Sequence, residues 1–196
     1  VPVSPPARAV GEGANTTHFS IIDREGNRVA ATLSLNTPFG SGFMPPGTGV
    51  LLNNEMDDFA ASLTASNAFG LVGSAANAIA PGKRPLSSMA PTFVEGPTGV
   101  AVLGTPGGSR IPSMVVLGVL DRIAGGDAVS MVSVPRFHHQ FLPDQLQYEP
   151  GGLTPAVIEA LNARGHPMRE GSRRYGNMNV VTWTYGQAPV AAPEGE

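Results

Sequence analysis

Twenty-five glycines and nineteen prolines punctuate a chain of 196 residues. Glycine admits backbone turns and proline stops helices and central strands. The chain is therefore confined to short elements joined by many loops. Residues 18–23 (HFSIID) and 28–35 (RVAATLSL) are rich in β-forming residues and flank Arg24, Glu25, Gly26 and Asn27, a hairpin turn. A second hairpin is predicted from residues 91–94 to 100–103, across residues 95–99 (EGPTG). Residues 111–123 (IPSMVVLGVLDRI) predict a helix that is apolar on most sides and so buried. Asp127 caps a short helix through Val134, which Pro135 ends. Thr154 and Pro155 start another that ends at Gly165, with Ile158 and Leu161 facing inward. Residues 179–185 predict a last strand, and residues 185–196 read as a loose or clipped tail. Residues 1–15, with three prolines, two glycines and no apolar period, read as a linker. This order describes an α+β fold with antiparallel strands and helices on one face.

Composition narrows the function. Charged residues make up 14%, against about 25% in ordinary soluble domains, which points to a partner covering part of the surface. The formal net charge is −3 and no basic run exists, so nucleic-acid binding has no electrostatic footprint. No stretch reaches the roughly 18 apolar residues of a membrane span. There are no cysteines, which excludes disulfides and thiolate chemistry.

Several short motifs carry polar chemistry. Thr16, in Asn15-Thr16-Thr17-His18, precedes a strand. A threonine hydroxyl is a weak nucleophile until a base takes its proton. The threonine's own α-amine can serve, with an ordinary pKa of about 8, once the preceding bond is cut. Thr32, Ser34 and Asn36 share one side of an extended segment, facing either solvent or a site. Glu55, Asp57 and Asp58 fall within four residues. Their mutual repulsion calls for a cation or open water; a substrate ammonium would serve, as would a solvated helix start. Ser87 and Ser88 follow a basic, proline-stiffened turn (KRPLSS) and either bind a carboxylate or form an ordinary loop. Residues 104–110 (GTPGGSR) run from a strand into a helix. The adjacent Gly107 and Gly108 let backbone N–H groups converge on an anion, or simply make a tight turn. His138 and His139 are adjacent at a helix end and lack metalloprotease spacing, so they read as structural.

Taken in order, residues 16–20 (TTHFS), 35–40 (LNTPFG), 51–59 (LLNNEMDDF), 77–89 (NAIAPGKRPLSSM), 104–110 (GTPGGSR) and 135–140 (PRFHHQ) resemble the γ-glutamyltranspeptidase small subunit. The resemblance runs from Thr16 to about Gly165. It implies half of an αββα N-terminal nucleophile hydrolase sandwich with antiparallel sheets, completed by a large subunit. Residues 1–15 would then correspond to the end of that large subunit, 16–175 to the catalytic domain, and 176–196 to a final strand and divergent tail.

The resemblance also implies roles. Thr16 attacks the γ-glutamyl carbonyl of glutathione or a similar donor, and Ser34 hydrogen-bonds it where the family usually has threonine. Gly107 and Gly108 form the oxyanion hole. Asn36, Glu55 and Asp58 hold the substrate ammonium; Ser87 and Ser88 hold its α-carboxylate, helped by a large-subunit arginine. The acyl group passes to water, an amino acid or a dipeptide, without metal or organic cofactor. The precursor cuts itself between Asn15 and Thr16, and the expected compartment is periplasmic or extracellular. Two departures stand out: fifteen residues precede Thr16, and the family's closing Asp-Pro-Arg motif is missing after Arg174. Two alternatives accompany this reading. One is a cephalosporin acylase-like amidase of the same superfamily. The other is an uncut, non-catalytic precursor form.

Overall fold

A computed structural model describes residues 16–62 and 65–194. The expected linker, including Asn15 and the processing bond, lies outside the described residues.

Strands β1 (Thr16–Ile22) and β2 (Arg28–Ser34) form an antiparallel hairpin. Its turn is closed by Asp23, whose carboxylate accepts the backbone N–H of Glu25 at 2.9 Å and of Asn27 at 2.8 Å. Gly26 takes the left-handed conformation the turn needs, with φ of 87°. This local chemistry sets the register that pairs Thr16 with Ser34.

Strands β3 (Thr92–Gly96) and β4 (Gly99–Gly104) form the second hairpin, tighter than its sequence suggested because Gly96 pairs with Gly99. All six residues of β4 are buried, as expected for a short apolar run covered on both faces. Helices α1 (Ile111–Ile123) and α2 (Ala128–Ser133) follow. Strands β5 (Phe137–His138), β6 (Leu146–Tyr148) and β7 (Met168–Glu170) make a small sheet, with helix α3 (Pro155–Ala163) between β6 and β7. Strands β8 (Asn179–Thr184) and β9 (Val190–Pro193) complete a four-stranded antiparallel sheet of order β3-β4-β8-β9.

Three layers result. Ala101 and Leu103 of β4 join Ile111, Met114, Met131 and Val180 in a core between the sheet and α1–α2. Alternation along β4 sends Val100, Val102 and Gly104 to the other face. There the β1–β2 hairpin lies across β4 and β8, with His18 against Gly104 and Gly26 against Trp183. The outer hairpin face exposes Phe19, Ile21, Val29 and Leu33. An α–β–β stack with one uncovered apolar face is an αββα sandwich that lacks its second helical layer.

The predicted caps are present: Asp127 accepts from Ser130 N at 2.8 Å and Thr154 from Val157 N at 3.3 Å. Four readings need correction. Helix α1 is not covered on most sides: Val116, Leu120 and Ile123 are 54%, 55% and 72% exposed, because one sheet covers only one helix face. His138 sits on a strand rather than a helix end. The small sheet is not wholly antiparallel, since β6 and β7 run parallel across the α3 crossover. Residues 185–196 are no loose tail through Glu194: β9 pairs with β8, and Ala192 lies in the core. The segments 16–175 and 176–196 therefore share one sheet.

Candidate active site

Thr16 begins β1, and its Oγ1 stands 2.9 Å from Ser34 Oγ across the hairpin. Ser34 Oγ accepts the N–H of Asn36 at 2.9 Å, which leaves its own proton free to be donated to Thr16. One step along the same face, His18 is 4% exposed. Its surroundings dictate its tautomer. Ser20 donates to Asn179 O at 3.3 Å, so Ser20 Oγ accepts from His18 Nε2–H at 3.0 Å. Nδ1 then accepts from Thr32 Oγ1–H at 2.7 Å. Burial lowers the His18 pKa, which keeps the ring neutral. A Cβ on residue 104 would stand 2.3 Å from this ring; only glycine lets the nucleophile strand approach the start of the 104–110 turn this closely.

A short 3-10 turn, Glu55–Asp58, carries the acids. Asn36, with φ of 74° and 4% exposure, donates Nδ2 to Asn54 O at 3.2 Å and so ties the end of β2 to this turn. Asparagine is among the few residues that tolerate this conformation. The three acids divide their work. Asp57 accepts from Ala68 N at 2.9 Å and holds a loop. Glu55 and Asp58 interact with each other. Burial, reinforced by the Asp58 charge, pushes the Glu55 pKa up to about 7. Burial raises Asp58 as well. Among the described residues no lysine or arginine forms an ion pair with either.

Asn77 connects the acids to the serines. Its Nδ2 donates to Asp58 O at 2.7 Å, and its Oδ1 accepts from Leu86 N at 2.9 Å, one residue before Ser87. Ser87 Oγ accepts from Met89 N at 3.2 Å. Across from the acids, Gly107 and Gly108 have φ of 148° and 57°, values that strain any residue with a Cβ. Side chains at these positions would also meet Met114 Cε at 2.3 Å and the Phe69 ring at 2.7 Å. The turn leads through residues 108–110 into the N-terminus of α1, where unpaired N–H groups favour negative charge.

Thr16, Ser34, Asn36, Glu55, Asp58, Ser87, Ser88 and Gly108 all line one open cleft of about 330 Å³, walled by Phe69, Met89 and Ile111. Of the residues singled out in the sequence, Gly107 stands one step behind the lining and Asn15 falls outside the described residues. A wider hollow of about 660 Å³ lies beyond Asp58 and Asn77. It contains no predicted nucleophile and shares only Asp58 with the cleft. Among the described residues no three His, Asp or Glu side chains converge to hold a metal.

Sequence reasoning missed His18, Asn54, Phe69 and Asn77 as parts of this site. Asn77 and His18 lay inside the motifs, but nothing in their spacing announced bonds to Asp58 or contact with Gly104. Phe69 sat in a loop without any signal.

Known proteins match this arrangement. The Gamma-glutamyltranspeptidase family profile covers residues 3–194. The chain is 47% identical over 166 residues to the glutathione hydrolase proenzyme of Escherichia coli K12, covering 83% of this chain and 28% of that protein. The fold superposes on a threonine-to-alanine mutant of Helicobacter pylori γ-glutamyltranspeptidase with a TM-score of 0.83 at 40% identity, covering 90% of this chain and 96% of that one. Pseudomonas nitroreducens γ-glutamyltranspeptidase complexed with L-DON gives a TM-score of 0.81 at 42% identity, covering 92% and 96%. The chain thus spans about 28% of the length of the curated Escherichia coli relative.

Proposed function

The chain belongs to the γ-glutamyltranspeptidase family, and on that premise we propose that it carries the catalytic half of a γ-glutamyl hydrolase and transferase acting on glutathione and related donors. The observation that carries this reading is the content of the single cleft. A nucleophile pair, two carboxylates that no cation among the described residues pairs with, two serine hydroxyls and a left-handed glycine turn all face it. A γ-glutamyl group presents the matching set: a scissile carbonyl, an ammonium and an α-carboxylate.

The reaction on this reading runs as follows. Glu55 and Asp58, with Asn36, hold the ammonium, and Ser87 and Ser88 hold the carboxylate. The γ-carbonyl is then presented to Thr16 Oγ1. The α-amine of Thr16, freed by cleavage before it, takes the hydroxyl proton as Oγ1 bonds to carbon. Negative charge moves to the carbonyl oxygen, where the amides of Gly107 and Gly108 receive it. The tetrahedral adduct collapses, the C–N bond breaks, and the proton passes to the leaving amine. Water or the amine of an amino acid or peptide then attacks the threonyl ester by the same route reversed. Ser34 orients Thr16 Oγ1 throughout. The remainder of the protein, a large subunit cut from the same precursor, would cover the exposed hairpin face and supply the arginine for the α-carboxylate.

Two measurements on the full-length protein test this reading. Mass spectrometry should find the chain cut between Asn15 and Thr16, and a chromogenic γ-glutamyl anilide should be turned over. Thr16→Ala should abolish both, since self-cleavage and turnover use the same hydroxyl; removing a nucleophile typically lowers kcat by about 10⁴-fold or more. A Thr16→Ala protein that still matures, or a cut protein inert toward γ-glutamyl donors, would overturn it.

A further inference from the structure

Gln140 is joined by hydrogen bonds to four residues: Phe69 and Ser109 from distant stretches, and His138 and Leu142 from its own. Its Oε1 accepts from Ser109 Oγ–H at 2.7 Å and from His138 Nε2–H at 2.9 Å. Its Nε2 donates to Phe69 O at 3.1 Å and to Leu142 O at 3.0 Å. A primary amide has two donors and two acceptor lone pairs, so its capacity is filled.

These bonds also settle the state of His138. Because the amide oxygen only accepts, His138 Nε2 carries the proton. Nδ1 is then the acceptor for Ser113 Oγ–H at 2.8 Å. His138 is 5% exposed, and burial lowers its pKa, consistent with a neutral ring. Ser109 directly follows Gly108, and Ser113 lies in the first turn of α1. The pair therefore grips the glycine turn and its helix at two points.

Phe69 closes the circuit. Its ring lies so near Gly108 that a Cβ there would be 2.7 Å away. Gln140 thus bonds the carbonyl of the residue whose ring packs on Gly108 and the hydroxyl of the residue that follows Gly108. Neither Gln140 nor His138 lines the cleft.

We propose that Gln140, oriented by His138, is a positioning residue that sets where the Gly108 amide stands relative to Thr16 Oγ1. This rests on the γ-glutamyl reading, in which that amide receives the oxyanion. A donor placed for the oxyanion acts in the transition state rather than on the bound substrate. Loss of the brace therefore appears in kcat and not in KM.

The test is a double-mutant cycle in the full-length, matured protein, read with a γ-glutamyl anilide. Removing an oxyanion donor outright lowers kcat about 10²–10³-fold, so displacing one through Gln140→Leu should lower kcat by about 10-fold, with KM changed less than about 3-fold. Ser109→Ala should lower kcat by about 3-fold alone and by less than about 1.5-fold in the Gln140→Leu background, because coupled residues are not additive. Equal Ser109→Ala effects in both backgrounds, or losses confined to KM, would overturn the proposal. If Gln140→Leu does not fold, Ser109→Ala and His138→Gln carry the same cycle with the same criteria. A wild-type protein that turns over no γ-glutamyl donor removes the reading and this inference together. An active wild type with additive variants removes this inference alone.

Discussion

Two groups of carboxylates sit in this protein under opposite conditions. Glu149 and Glu194, 2% and 8% exposed, are met by cations from within the chain. Arg136 lies 2.6 Å from Glu194 Oε2, and Arg174 lies 3.4 Å from Glu149 Oε2. Backbone N–H groups of Arg136 and Tyr175 bond Glu149 at 3.1 and 3.0 Å, and Met178 N bonds Glu194 at 2.8 Å. The guanidinium of Arg136 also donates to the carbonyls of Val132, at 3.2 Å, and Tyr175. In the cleft, Glu55 and Asp58 have, among the described residues, each other and Asn67, which donates to Asp58 at 3.3 Å, and no cation. The first group is complete and ties the end of the chain to the core. The second is poised at a cost: two partly buried carboxyls repel each other and resist ionising. On the proposed reading, an incoming substrate ammonium would supply what Arg136 supplies elsewhere.

The sharpest way to break this comparison is to remove one member from each group. Removing one partner of a buried ion pair costs about 3–5 kcal/mol, so Arg136→Met should lower the unfolding free energy by about that much in denaturant titrations. Arg136→Met combined with Glu149→Gln and Glu194→Gln should cost less than the sum of the single changes. Full additivity would mean the group is not the self-neutralising unit described.

Asp58→Ala should do the reverse, leaving denaturant stability nearly unchanged while activity falls. Truncating one side of a charge pair in a binding site costs about 2–5 kcal/mol, so kcat/KM for a γ-glutamyl donor should drop about 30-fold or more. An unchanged kcat/KM would remove Asp58 from ammonium binding.

The smallest effect concerns pH. Glu55 ionises near its ordinary 4.5 when unfolded and near 7 when folded. The unfolded state therefore loses its proton first, and this group lowers stability progressively as pH rises from about 4.5 to about 7. Glu55→Gln should raise Tm relative to wild type by a margin that grows across that window and is absent below it. A margin that shrinks with rising pH would contradict the assigned shift. In the same window, KM for the ammonium-bearing donor should fall as Glu55 takes up its charge.

Much of the fold was legible because it rests on local rules. The turn at residues 24–27, the Asp127 and Thr154 caps and the apolar run of β4 each announce themselves within a few residues. The candidate site was legible only through the family resemblance: taken singly, Thr16, the acids and the Gly107–Gly108 turn each fitted a structural role as well as a chemical one. The exposure of α1, the strand at the chain end and the parallel β6–β7 pair were not legible. Each depends on which layer is present or on a partner far along the chain. Residues 190–193 (VAAP) show no strand alternation by themselves, and Glu194 acquires its role from Arg136, 58 residues away.

By itself, the sequence determined that short strands and helices would form, which residues would cap them, and which side chains carry hydroxyl, carboxylate and amide groups able to act on a substrate. Those outcomes follow from backbone torsions, propensities and side-chain functional groups, all of which operate over a few bonds. Tertiary structure alone decided that Thr16, Asp58, Ser88 and Gly108 share one cleft, that Asp57 holds a loop while Glu55 and Asp58 face that cleft, and that Asn77 and Gln140 hydrogen-bond the segments around it. Those outcomes are set by distances between segments tens of residues apart, and such distances exist only once the layers have packed.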